Sequence, residues 1–266
     1  MLWTLVRRSV ARHRALVLGL AALLCGFQVL LVIVGTNYQR EGLFGQVAAL
    51  VPAFVQEALG GLMIASFAGT VALGFFHPVV MLALSCGGIY VASEPAGEVE
   101  HGLVDLIAAR PVPRHLLMTR SLLVYAGITA AIVTLMFAAN QTAVRLLAPA
   151  GVALLARSRL LWVAANLLAV VWCLGAAALA IAAGARRRAA AAGSMALVAV
   201  CLYLLHFAAA AWARLRPAAR ISPFHYYESS PTLLGLSLPV RNIVVLLIAT
   251  AVLFVIAQVL YARRDL

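Results

Sequence analysis

The chain has 266 residues, 65% of them hydrophobic and 11% charged, and its mean hydropathy is +1.05. A soluble domain is about a quarter charged and could not hide this much apolar surface from water. The formal net charge of +12 is carried entirely by Arg, because the sequence contains no Lys; neither P-loop nucleotide hydrolysis nor Schiff-base chemistry, which both need a Lys, is expected of this chain.

A membrane span needs roughly 20 apolar residues, so the length suits six spans with short connections and leaves no room for a second, soluble domain. The Arg residues are scattered between apolar runs rather than gathered on one face, which points to membrane topology and away from nucleic acid as a partner. Cys25, Cys86, Cys173 and Cys201 each sit alone in an apolar run. With no C-x-x-C pair and no nearby His, they read as packing residues rather than a zinc site.

Residues 1–14 place Leu2, Trp3, Leu5, Val6 and Val10 on an apolar stripe with Arg7, Arg8, Arg12 and Arg14 around it. That pattern predicts an interfacial elbow helix on the cytoplasmic membrane surface, with Trp3 at headgroup depth and the Arg side chains toward anionic lipid. The first span is expected at 15–35 and reads as a retained span, being longer than a signal-peptide core and lacking an A-x-A cleavage site. Phe44, Val47, Val51, Phe54, Val55 and Ala58 recur at helical spacing opposite Gln46, Gln56 and Glu57. They predict an outer amphipathic helix that packs on the bundle or in the interface, or forms a substrate gate.

Residues 62–92 are too long an apolar run for one straight crossing and contain Gly69, Gly74 and Pro78. Span two is placed at 75–92 with a break at Pro78, whose ring and missing N–H interrupt a helix. Spans three to six are expected at 117–139, 160–184, 190–212 and 243–261. A mixed loop covers 140–159 and begins with a glycosylation sequon at Asn140. An outer loop or re-entrant segment covers 213–242, where Phe224, Tyr226 and Tyr227 form either a candidate outer gate or an interfacial aromatic belt. Twelve Arg residues fall on one side of this arrangement and eight on the other, so both termini are expected in the cytoplasm.

The loop at 93–115 differs from the others. It holds Glu94, Glu98, Glu100 and Asp105, half of the acidic residues in the chain. Residues 102–109 read as a short amphipathic helix stopped by Pro111 and Pro113. Such a stiff, charged lever between two spans is what a cytoplasmic motor could push.

Here the residues resemble the ABC-2-type transporter permeases, in a type V exporter-like arrangement. After their second span these carry acidic residues and a pattern like G-T-L-E-x-L-L-x-x-P-V-S-R. Gly102, Val104, Asp105, Leu106, Ile107, Pro111, Val112 and Arg114 fall into register, Arg120 takes the place of a following basic residue, and Leu103 and Pro113 depart from the pattern. The stretch Ser222, Pro223, Phe224, His225, Tyr226 is similar to an S-P-F-x-Y segment before the last span, and Arg263, Arg264, Asp265, Leu266 to an R-R-D-L ending.

The resemblance implies an all-α, six-helix permease subunit in an inner or plasma membrane. It would form a homodimer and bind a separate ABC ATPase subunit that holds ATP and Mg, with no cofactor of its own. Glu98, Glu100, Gly102, Asp105, Leu106, Pro111 and Arg114 would then couple to the ATPase and drive export by alternating access. Two other readings compete. An intramembrane enzyme would use His77, His206, His225 or Glu94, and a proton-coupled secondary transporter would use His77 and His206, which could form a proton or metal site, and would need paired carboxylates near midspan.

Overall fold

The computed structural model describes residues 2–46, 66–103, 113–227 and 229–264. The described residues are helical with no strand among them, and six helical segments are long and apolar enough to cross a membrane. In lipid no water is present to satisfy backbone N–H and C=O groups, so a chain of this hydropathy closes its hydrogen bonds within helices.

The first segment is a single helix, α1 (Leu2–Glu41), of 40 residues. At 1.5 Å per residue it is about 60 Å long, roughly twice the hydrocarbon thickness. The sequence placed a surface elbow at 1–14 ahead of a separate span, but no break divides them. Residues 2–14 contain neither Pro nor Gly, so nothing in the backbone chemistry stops the helix where the side chains turn basic.

The second crossing is α2 (Phe67–Phe76) followed by α3 (Pro78–Ala92). His77 between them is extended, and Pro78 occupies the first turn of α3, where its missing N–H costs nothing. The break nevertheless orphans carbonyls of α2, and side chains from elsewhere meet them. Gln28 of α1 donates to the Gly74 carbonyl at 2.6 Å, and the Tyr227 hydroxyl donates to the Phe75 carbonyl at 3.0 Å. Burial raises the Tyr227 hydroxyl above the ordinary tyrosine range, which keeps that proton in place.

Helix α4 (Glu94–Glu100) follows directly. Helix α5 (Arg114–Leu147) continues well past the expected end of span three at 139. Asn140 is consequently a buried helical residue and not the start of a loop; its amide donates to Gln28 Oε1 at 2.9 Å and to the Val71 carbonyl at 3.1 Å. A side chain so enclosed has no access for a glycan, which corrects the sequon reading.

Helices α6 (Arg157–Gly184), α7 (Arg188–Ala211) and α10 (Val240–Ala262) complete the crossings. Two short helices, α8 (Arg216–Ala219) and α9 (Ser229–Leu234), lie between α7 and α10.

Helix α6 is the central post: 67% of its most apolar window is buried, against 17% for α7 and for α10. It packs against α10, α3 and α5, while α1 packs against α5 and α2. Its small residues Gly175, Ala176, Ala178, Ala182 and Ala183 allow close helix approach. The Tyr125 ring of α5 lies against Gly175 and Gly88, and its hydroxyl donates to the Val171 carbonyl. A Cβ at Gly88 would sit 2.7 Å from that ring, so Gly is the residue the contact permits. Leu197, Leu204 and Phe207 of α7 and Val252, Val255 and Ile256 of α10 are exposed, which suits helices whose outer faces meet acyl chains.

Both termini lie at one end of the bundle. Gln258 near the end of α10 bonds to Thr119 near the start of α5, and Arg264 donates to the Ala183 carbonyl at the end of α6.

Candidate functional site

The densest polar cluster lies at this termini end, around α4. Ser93 precedes the helix, and Glu94 and Pro95 begin it, an acidic residue and a Pro in the turn where the helix dipole and unpaired N–H groups favour them. Glu94 and Glu98 are four residues apart and share one face. That face points into the bundle: the two residues are 1% and 3% exposed.

Glu94 accepts from the Ser9 hydroxyl and, at 3.0 Å, from Arg12 Nη1, both on α1. Glu98 takes a two-pronged bond from Arg120 of α5, at 2.8 and 2.9 Å. The pairs also cross, with Arg12 to Glu98 at 3.8 Å and Arg120 to Glu94 at 3.9 Å. Arg120 further donates to Ser121 Oγ at 3.0 Å. A planar guanidinium suits this work better than an ammonium, because its fork matches both carboxylate oxygens at once.

Arg188, the first residue of α7, closes the cluster. Its guanidinium carbon lies 3.9 Å from the centre of the Tyr90 ring, over its face, and it donates to the Tyr90 carbonyl at 2.9 Å and to His13 Nε2 at 2.8 Å. His13 Nδ1 lies 2.9 Å from the Ser9 carbonyl and must be the donor there, which leaves Nε2 as the acceptor for Arg188. The imidazole is therefore neutral in this arrangement. The backbone N–H of Arg188 donates to Glu100 at 2.9 Å. Two carboxylates (Glu94, Glu98) thus pair with two guanidiniums (Arg12, Arg120), Glu100 takes the backbone N–H of Arg188, and α4 is tied to α1, α5 and α7 together.

The residues singled out by sequence divide sharply here. Glu98 was expected at a partner-facing surface, but it is buried and committed to Arg120. Glu94, a candidate intramembrane acid, is likewise saturated by Ser9 and Arg12. Burial follows from their partners, which lie 82 and 22 residues away and which no local pattern reveals. Glu100 is exposed, and Gly102 ends the turn after α4 with a φ of +65°, a conformation that Gly adopts without steric cost. Asp105, Leu106 and Pro111 lie outside the described residues, as does the side chain of Arg114, whose backbone begins α5. Trp3, Arg7, Arg8, Arg12 and Arg14 are exposed along the first turns of α1, although Arg12 turns its guanidinium inward to Glu94.

At the opposite end, Phe224 and Tyr227 are buried, with Phe224 edge-on to Tyr203 at 5.3 Å. They line a cavity of about 240 Å³ together with Phe76, Met81 and His206. Tyr226 is not part of that lining and offers its carbonyl to Asn166 at 3.1 Å. His77 accepts the Val79 N–H and meets Phe27 at 5.2 Å, as a helix cap would. Among the described residues no three His, Cys, Asp or Glu side chains are placed to hold a metal ion.

The sequence does not single out Ser9, Tyr90, Gln28 or Tyr125, and it places His13 on the polar side of the surface helix where the structure buries it. A polar side chain within a long apolar helix was the available signal for Gln28, since lipid makes an unpaired carboxamide costly. Compared with models of known protein families and with curated proteins, the chain matches none.

Proposed function

We propose that the chain is the permease subunit of an ATP-driven transporter of the ABC-2 type, exporting its substrate by alternating access. A separate ATPase subunit would bind ATP and Mg, two permease copies would form the transport unit, and the termini end would face the cytoplasm of an inner or plasma membrane. The observation that carries this reading is the clamp on α4. A push on residues 100–114 would move α4, and the charge pairs to Arg12 and Arg120 would hand that displacement to α1 and α5, and the Glu100–Arg188 hydrogen bond to α7, rather than let it dissipate in a loose loop. A lever is of use only if it is fixed to what it moves, and Glu94 and Glu98 do the fixing while Glu100 and Gly102 stay exposed.

The test is affinity capture of the full-length chain with its P-loop ATPase, followed by ATP hydrolysis of the complex. Glu100→Arg and Asp105→Arg are expected to weaken association and to lower the stimulated hydrolysis. If both variants retained the ATPase and its full stimulation, this role for the segment would be wrong.

A further inference from the structure

The end of the bundle remote from the termini holds a second polar feature that the transport reading does not use. A cleft of about 330 Å³ opens between the start of α2, the end of α5 and the start of α6. That volume lies at the lower end of the range of small-ligand sites, about 300–1,000 Å³. Its floor is apolar, with Phe67, Val71, Leu155 and Leu160, and its rim carries Arg145 and Arg157.

Arg12, Arg120 and Arg188 are spent on carboxylates or ring faces at the other end, whereas Arg145 and Arg157 have no ion-pair or hydrogen-bond partner among the described residues. Arg157 is also the first residue of α6, whose N-cap, Ala156, supplies no side-chain hydrogen bond to the free N–H groups. An uncapped helix start presents unpaired N–H groups and the positive end of the helix dipole, both of which favour an anion. Two cations thus line one cleft over an apolar floor, beside an uncapped helix start.

We propose that this cleft binds an amphipathic anion, with a phosphate headgroup held by Arg145 and Arg157 and its hydrocarbon part laid against Phe67, Val71 and Leu155. Arg forks engage phosphate oxygens in pairs, and basic pockets between membrane helices are suited to anionic lipid headgroups. The same chemistry could reach the cleft from the surrounding bilayer or as a separate amphipath. The site is independent of the permease reading, since it involves neither the α4 clamp nor an ATPase.

The experiment uses the full-length chain alone in a neutral maltoside detergent, titrated calorimetrically with dodecyl phosphate and, separately, with inorganic phosphate, with binding to empty micelles subtracted. Dodecyl phosphate is expected to bind, and inorganic phosphate at least about tenfold more weakly. Arg145→Gln combined with Arg157→Gln should weaken dodecyl phosphate by at least about tenfold, because charge-assisted hydrogen bonds are lost, while Arg241→Gln on the exposed start of α10 leaves it unchanged. An unaltered elution profile of the double variant establishes that it is folded. Equal affinity of wild type and double variant, or inorganic phosphate binding as tightly as dodecyl phosphate, would overturn the proposal. Repeating the titration in phosphatidylcholine nanodiscs with and without phosphatidylglycerol separates the sources: competition identifies a bilayer lipid as the occupant, and its absence a ligand from outside the bilayer.

Discussion

Arg120 and Glu98 show how much a single pair can decide. Both are almost fully buried, and without the other each would keep only a longer contact, Glu98 to Arg12 at 3.8 Å or Arg120 to Glu94 at 3.9 Å. Removing one partner of such a pair costs about 3–5 kcal/mol, while replacing both with apolar residues of similar size is often close to neutral. Glu98→Leu and Arg120→Met singly should therefore each lower unfolding stability in detergent by about that amount, and the double variant should lose far less than the sum. Strict additivity would mean that the two side chains do not act as a pair. Neither carboxylate's burial could be read from the sequence. Glu94 and Glu98 sit amid Ser, Gly, Pro and further acids, the composition of a solvated loop, and only the packing of α1 and α5 around them turns that loop inward.

At the scale of elements, the α2–α3 break is the clearest case of structure following from one residue. Pro78 was legible as an interruption because its ring forbids a continuous helix. What was not legible is that Gln28, 46 residues earlier, supplies the donor that the Gly74 carbonyl lacks. Gln28→Leu should cost about 1–2 kcal/mol, the upper range for a hydrogen bond between membrane helices, since it also leaves Asn140 with one acceptor fewer. In a Pro78→Ala background the helix can regain its own N–H donor, so the same substitution should cost less there; an equal cost in both backgrounds would remove the explanation. The extent of α1 and α5 was misjudged for a related reason. Hydropathy marks where a helix leaves lipid, not where it ends, and the backbone of 2–14 and of 140–147 continues while the side chains become polar.

Across the whole molecule, six apolar helices and their order were evident from composition and periodicity, because lipid demands both. The arrangement around α6 was not, since Gly and Ala runs mark close packing without naming the partner. At one end of the bundle buried acids are paired with arginines, and at the other Arg145 and Arg157 have no partner among the described residues. The functional account requires the first of these ends to face the motor. The most direct test is a single cysteine at the exposed position His101 in a background lacking Cys25, Cys86, Cys173 and Cys201, probed with a membrane-impermeant maleimide. The account predicts labelling in inside-out vesicles but not in intact cells, with protection when the ATPase subunit is bound; labelling of intact cells, or no protection by the ATPase, would contradict it.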